Sequence, residues 1–202
     1  MLIVISYPTA VTDEAIIINA LFDEGLEILH LRKPDAAVDE IRILIEKIKP
    51  QYHYQIALHQ NHEIAADYGI KRLHFTESNR KELHEKPLIQ LKVTNFIFST
   101  SFHKVAEYHS LSFSFVYTFF GPVFNSISKQ GYVSTLPVDF VFPVQVNHPK
   151  VIAIGGIDAA NIQKAMHMQF DGVAALGTIW QKPGESIQQF KALQKAWKQT
   201  GR

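Results

Sequence analysis

Val151-Ile152-Ala153-Ile154-Gly155-Gly156-Ile157-Asp158 and, shortly after it, Gly172-Val173-Ala174-Ala175-Leu176-Gly177-Thr178 are two short apolar runs, each closed by glycine. Such a run reads as a buried parallel strand entering a tight turn. In an α/β barrel the loops after the seventh and eighth strands, with the N-terminus of a short helix, commonly hold a phosphate through backbone N–H groups. Gly155, Gly156, Gly177 and Thr178 are therefore candidate phosphate-binding residues. The plainer alternative is that these glycines only permit the tight turns that any α/β protein needs. Their pairing favours the phosphate seat.

Working back toward the N-terminus, apolar runs alternate with helical patterns, the signature of repeated βα units around a parallel sheet. Strands are expected at Leu2–Ser6, Glu27–Leu31, Tyr54–Leu58, Arg72–His74, Phe96–Ser99, Phe113–Phe119, Val151–Ile154 and Gly172–Ala175. Val38, Ile41, Ile45 and Ile48 make one apolar stripe on the second helix, which Pro50 stops. Ile187, Phe190, Leu193 and Trp197 do the same for a last helix over Ser186–Trp197. Thr12 or Asp13, Asp35 and Asp158 are candidate helix caps. Pro137, Pro143 and Pro149 leave little room for a full helix between Tyr132 and Pro149, so the sixth helix should be short or irregular. The whole chain, 1–202, reads as one α/β domain, a single (β/α)8 TIM barrel. Alternation along Phe113, Phe115, Tyr117 and Phe119 suits a barrel strand better than a subunit contact, although a homo-oligomer is possible.

Composition limits the function. With 20 basic and 19 acidic residues, the net charge of +1 gives no general field for nucleic acid or an anionic membrane, so anion recognition must be local. Having no cysteine, the chain has neither a thiolate metal site nor a Cys nucleophile, which is compatible with a reducing cytosol. Met1 to Ser6 lacks a basic flank and is too short to span a bilayer, so a cytoplasmic location is expected.

Catalytic groups of such barrels sit at the carboxyl ends of strands. Those positions hold His30 and Arg32, then His59 and Gln60, then His74, then Ser101 and His103. The histidines are candidate general acids, hydrogen-bond donors or metal ligands. With 10 histidines in the chain, several should only pack. After the sixth strand, Ser126, Ser128 and Lys129 form a candidate anion clamp of two hydroxyls and an ammonium. Arg32, whose guanidinium can hold two phosphate oxygens at once, complements it in gripping a diphosphate.

Taken in order, these segments resemble the thiamine phosphate synthase family, which shares its barrel with the thiazole tautomerases. Gly25 to Lys33 resembles the family's segment ending in Gln-x-Arg-x-Lys, Leu73-His74-Phe75 its Val-His-Leu, and Ser101-Phe102-His103 its Ser-x-His. Gly121-Pro122-Val123-Phe124 with Ser126-x-Ser128-Lys129 resembles its Gly-Pro-x-Phe and Thr-x-Thr-Lys, and Ala153 to Ile157 its Ala-x-Gly-Gly-Ile. The resemblance implies transfer of hydroxymethylpyrimidine from its diphosphate to thiazole phosphate, with Mg²⁺ and release of pyrophosphate. Arg32, Ser126, Ser128 and Lys129 would hold the diphosphate, with Ser101 nearby, and the glycine turns would hold the thiazole phosphate.

The departures bear on activity. The family's Asn-Asp pair falls on His59 and Gln60, and its second metal-binding aspartate falls near Asn79, which should weaken Mg²⁺ binding. His30 replaces a glutamine and Pro34 stands where a lysine is expected. His30 is closer to the tautomerase branch, yet that branch's usual catalytic histidine falls on Pro122. Three functions follow as expectations: a divergent synthase, a tautomerase-like isomerase using His59, His74 or His103, and a non-catalytic phosphate-ligand binding or regulatory protein.

Overall fold

The computed structural model describes residues 1–82, 95–111, 114–125, 134, 136, 137, 139–143 and 148–201. Eight parallel strands close into a barrel in chain order. They are β1 (Leu2–Ile5), β2 (Ile28–Leu31), β3 (Ile56–Leu58), β4 (Arg72–Phe75), β5 (Ile97–Phe102), β6 (Phe115–Phe120), β7 (Lys150–Ile154) and β8 (Gly172–Ala175). The ring shuts where Ile3 of β1 pairs with both Ile28 of β2 and Ala174 of β8. The expected (β/α)8 barrel is the observed fold. Tyr54 and Gln55, expected in the third strand, belong instead to a 3-10 turn over Pro50–Gln55. The segment expected to carry the sixth helix lies mostly outside the described residues.

Alternation along each strand builds two cores. Ile3, Ile5, Ile28, Ala57, Tyr117, Phe119, Ile152 and Ala174 fill the barrel. Their neighbours Val4, Leu29, Leu58, Leu73, Phe98, Val151 and Val173 pack outward under the helices. On β6 the alternation breaks. The pairing slips between Phe98–Phe115 and Ser99–Tyr117, so Phe115 joins the outer core while Tyr117 and Phe119 point inward. One extra residue at a bulge has this effect because side-chain facing has a period of two.

The outer helices include α1 (Glu14–Asp23), α2 (Val38–Glu46), α3 (Glu77–Glu82), α4 (Ile162–His167), α5 (Gly177–Trp180) and α6 (Ser186–Lys198). The predicted stripes hold in part: Ile41 and Ile45 are buried on α2 and Phe190 and Leu193 on α6, with Ile48 buried just past the end of α2, whereas Val38 is exposed and Ile187 and Trp197 are half-buried. The caps differ. Asp13 adopts φ 57° and makes no capping bond, while at α2 the N–H of Ala37 donates to Glu40 Oε2 at 2.8 Å, leaving Asp35 no part. Asp158 accepts from the N–H groups of Ala160 and Asn161, closing the turn that leads into α4. Trp180 Nε1 donates to the Ile5 carbonyl at 2.7 Å and ties the last βα unit to the first strand. No helix among the described residues is long and apolar enough to cross a membrane.

Candidate active site

The carboxyl ends of all eight strands open on one cavity of about 400 Å³. Arg32 reaches it from β2, His59 from β3, His74 and Glu77 from β4, Ser101 and His103 from β5, and Gly121 and Pro122 from β6. Gly155 and Gly156 after β7 and Gly177 after β8 complete the wall. The arginine expected to grip one anion and the glycines expected to seat another therefore share a single space. Ser126, Ser128 and Lys129 lie outside the described residues.

Backbone contact between neighbouring loops fixes the glycine wall. The N–H groups of Val123 and Phe124 donate to the carbonyls of Ile154 and Gly155 at 2.9 and 3.1 Å. A Cβ on Gly156, whose φ is 64°, would stand 2.2 Å from the Asn125 carbonyl oxygen. Only glycine permits both that backbone conformation and that approach. Asn161 Nδ2 and Thr178 Oγ1 donate to the carbonyls of Gly156 and Ile157, bracing the turn from behind. The Thr178 side chain is thus a brace rather than part of the cavity wall. Gly177 opens α5, so its N–H and that of Thr178 have no acceptor within the helix.

On the opposite side, Ser6 accepts from the N–H of Arg32 at 2.8 Å and donates to its carbonyl at 3.1 Å. Lys33 turns away from the cavity. Its ammonium is buried against Glu14 Oε2 and the Thr9 carbonyl, both at 2.7 Å. Burial raises the Glu14 pKa despite that partner. Gln60 spends its carboxamide on the backbone of Lys33, and Asn79 is exposed on α3.

Glu77, which strand-end reasoning passed over, lies in the wall between these regions. Its Oε2 meets His103 Nδ1 at 2.6 Å, Lys81 pairs with Oε1, and its N–H donates to Ser101 Oγ. The His103 hydrogen bond, then that of Lys81, lowers the Glu77 pKa to about 2. It stands two residues beyond β4, so extending the search past the last strand residue would have found it.

Three of the four strand-end histidines do converge. His59 and His74 stack with ring centroids 4.1 Å apart and an interplanar angle of 25°, and His30 lies edge-on to both. His30 is fully buried beneath the cavity rather than in its wall. Its Nδ1 bonds His59 Nε2 at 2.8 Å and its Nε2 bonds the Tyr117 hydroxyl at 2.7 Å. His74 Nδ1 meets Ser99 Oγ at 2.9 Å. Burial, followed by neighbouring positive groups, pushes the pKa values of His30 and His59 well below the usual imidazole range and that of His74 to about 3. Burial raises Tyr117 to about 12. The cluster is a set of neutral hydrogen-bonding groups. His103 stays apart at the rim.

Neither metal arrangement suits these groups as they stand. Each ring of His30, His59 and His74 offers a nitrogen within 4.8 Å of the others. Both His30 nitrogens are already engaged, however, and stacked rings direct their in-plane lone pairs side by side rather than to one point. Mg²⁺ favours several hard oxygens, commonly carboxylates. Among the described lining residues Glu77 is the sole carboxylate, and it is already paired. Gln60 and Asn79 do not supply the missing charges, so the residues present do not fit the family's Mg²⁺ site.

The sequence profile described as thiamine monophosphate synthase matches residues 2–179. A thiamine phosphate pyrophosphorylase from Bacteroides thetaiotaomicron is 25% identical with a TM-score of 0.72, covering 98% of this chain and 97% of that one. One from Pyrococcus furiosus is 16% identical with a TM-score of 0.74, covering 98% and 96%. A 3-hexulose-6-phosphate synthase from Salmonella typhimurium, 11% identical with a TM-score of 0.66 and covering 99% and 100%, shares the fold. None of the curated proteins matches the chain.

Proposed function

This chain belongs to the thiamine monophosphate synthase family, and we propose that it catalyses a divergent synthase-type transfer, joining hydroxymethylpyrimidine from its diphosphate to thiazole phosphate. The observation that carries this reading is the single cavity linking Arg32 to Gly155, Gly156 and Gly177. A ligand pair with an anion at each end and reacting rings between them matches that layout. The bond from the exocyclic carbon to the diphosphate oxygen breaks, and the electron-rich pyrimidine stabilises the cation formed. Arg32, with Lys129 and the hydroxyls of Ser126 and Ser128, stabilises the departing oxygens, and Ser101 lies near them. The thiazole nitrogen then forms the new C–N bond. The Gly155, Gly156 and Gly177 amides hold the thiazole phosphate in place.

The test is pyrophosphate release with formation of thiamine phosphate from both substrates, with and without added Mg²⁺. No product at saturating substrate in either condition rejects the transfer. A second expected result concerns the division of the site. Arg32→Ala should weaken diphosphate binding by about tenfold or more, the scale of a lost charge-assisted hydrogen bond, and leave inorganic phosphate binding at the glycine wall unchanged. Equal losses in calorimetric titrations would contradict it.

The neutral imidazoles of His59 and His74 at the cavity wall, together with the unsuited Mg²⁺ ligands, favour an isomerase as a second reading. There, turnover of a thiazole carboxylate phosphate depends on a histidine base. Unchanged turnover after replacing His59, His74 and His103 by alanine rejects those bases. Binding of thiamine phosphate without any turnover would instead indicate a regulatory binding protein.

A further inference from the structure

Glu77 touches both polar side chains that the end of β5 sends to the cavity, Ser101 and His103. Its backbone N–H donates to Ser101 Oγ at 3.2 Å, and its Oε2 meets His103 Nδ1 at 2.6 Å. The carboxylate is itself held from behind. Lys81 pairs with Oε1 and also reaches Glu107 Oε1 at 3.4 Å, and Glu107 pairs with Arg80 at 3.5 Å.

We infer that Glu77 is a positioning residue that holds His103 as its Nδ1–H tautomer, so that the bare Nε2 is the proton-accepting atom of this cavity, with the Ser101 hydroxyl beside it as hydrogen-bond donor. The hydrogen bond from His103, then that from Lys81, lowers the Glu77 pKa to about 2 and keeps it ionised near neutral pH. An ionised carboxylate only accepts, so the proton of the 2.6 Å bond belongs to Nδ1. A neutral ring carries one N–H, which leaves Nε2 its lone pair. Nε2 has no hydrogen-bond partner among the described residues, and the His103 side chain is 56% exposed at the rim. Ser101 is set in the complementary sense. Its Oγ accepts from Glu77, and its own proton finds no acceptor among the described residues. The other two histidines of the wall do not match His103 as acceptors: His59 Nδ1 is buried, and burial takes His74 down to about 3.

This arrangement suits a proton shift within one ligand; the substrate class rests on the isomerase reading above, while the held tautomer does not. His103 Nε2 takes the proton of a C–H acidified by an adjacent carbonyl, carboxylate or ring nitrogen. The electron pair of that bond moves into the conjugated system, and Ser101 donates a hydrogen bond to the atom that gains negative charge. The imidazolium so formed keeps its Nδ1–H on Glu77, whose carboxylate offsets the new charge. Nε2–H then protonates the far atom of the same conjugated system, and His103 returns to its starting tautomer. One base gives back the proton it took, so no co-reactant is consumed.

The tautomer is read by ¹⁵N spectroscopy of the ligand-free protein at about pH 8.5, above the ordinary imidazole range. The expected His103 ring is Nδ1–H; an Nε2–H ring or an even mixture overturns the positioning. Glu77→Gln replaces a pure acceptor by a carboxamide that can also donate, so the ring should become a mixture of tautomers. A ring still wholly Nδ1–H would overturn the part given to Glu77. If that variant does not fold, Glu77→Asp draws the carboxylate back by one methylene and is read for the same two outcomes. Deuterium uptake from D₂O into thiazole carboxylate phosphate tests the proton step. His103→Gln should cut uptake by about 100-fold or more, the scale of a lost general base, and Glu77→Gln should lower kcat by a smaller factor with KM unchanged. Undiminished uptake in His103→Gln, or none in the unaltered protein, overturns the step. The first measurement needs no ligand and the second no hydroxymethylpyrimidine diphosphate, so their failure leaves the transfer reading standing, and a failed pyrophosphate assay leaves the Glu77–His103 pair standing.

Discussion

Acidification from pH 7 toward pH 4 is expected to unfold this protein steeply, because three buried imidazoles must stay neutral for the barrel to close. Burial is the largest cause of the lowered pKa values of His30, His59 and His74. The charges that face them act in the same direction: His74 and Arg72 on His30, the other histidines and Arg32 on His59, and His62 and Arg32 on His74. In the unfolded chain each ring takes a proton near the ordinary value of 6.5. Below that pH the unfolded state binds more protons, so their contribution is complete above 6.5 and is lost as pH falls toward the folded values, about 3 for His74.

Each such ring costs about 1.4 kcal/mol per pH unit across that window, so three together cost about 4 kcal/mol per unit. A domain with roughly 5–15 kcal/mol of total stability survives few such units. Glu14, raised by burial, acts oppositely but as one proton against three. Glu77, lowered to about 2, adds to the loss only below the ordinary carboxylate range. Urea midpoints followed by circular dichroism at pH 7.5, 6.5 and 5.5 measure the slope. Constant midpoints across that range would mean that the rings accept protons inside the folded barrel, and the neutral cluster would be the wrong description.

The histidine cluster also marks how far sequence reasoning reached. Strand order, the glycine wall and Arg32 were legible because each depends on local rules: an apolar run closed by glycine, and a polar residue at a strand end. Convergence was not. His30 is one residue before the end of β2, so the period of two sends it into the barrel, under the cavity rather than into its wall. Tyr117 looked like one more apolar strand residue, and its polar role arises because His30 stands across the barrel within hydrogen-bond distance.

Pairing with distant backbone was equally hidden. Nothing in the sequence around Lys33 shows its partner, yet Glu14 on α1 draws it into a buried ion pair. Gln60, at a position where the family carries an aspartate, instead hydrogen-bonds the Lys33 backbone. A carboxylate there would meet the Lys33 carbonyl with no proton to donate, so the substitution and the local hydrogen bonding belong together. Side-chain identity alone could show that the metal ligand was missing; it could not show what the replacement does.

Gly156→Ala should cost about 3–4 kcal/mol of stability and abolish inorganic phosphate binding. An L-residue at φ 64° costs about 1–2 kcal/mol. The added Cβ would also lie 2.2 Å from the Asn125 carbonyl oxygen and 2.9 Å from two atoms of Phe124, so backbone must move. That displacement strains the hydrogen bonds from Val123 and Phe124 to Ile154 and Gly155, each worth about 1 kcal/mol.

Two other glycines separate the contributions. Gly69, at φ 68° with nothing within 4 Å of an added Cβ, isolates the conformational cost, and Gly69→Ala should lose about 1 kcal/mol. Gly184 has neither positive φ nor a near neighbour, and Gly184→Ala should be nearly neutral. Unfolding midpoints and phosphate titrations of the three variants test this order. If Gly156→Ala matched Gly69→Ala in stability and still bound phosphate, close packing of the two loops would not be what shapes the proposed seat.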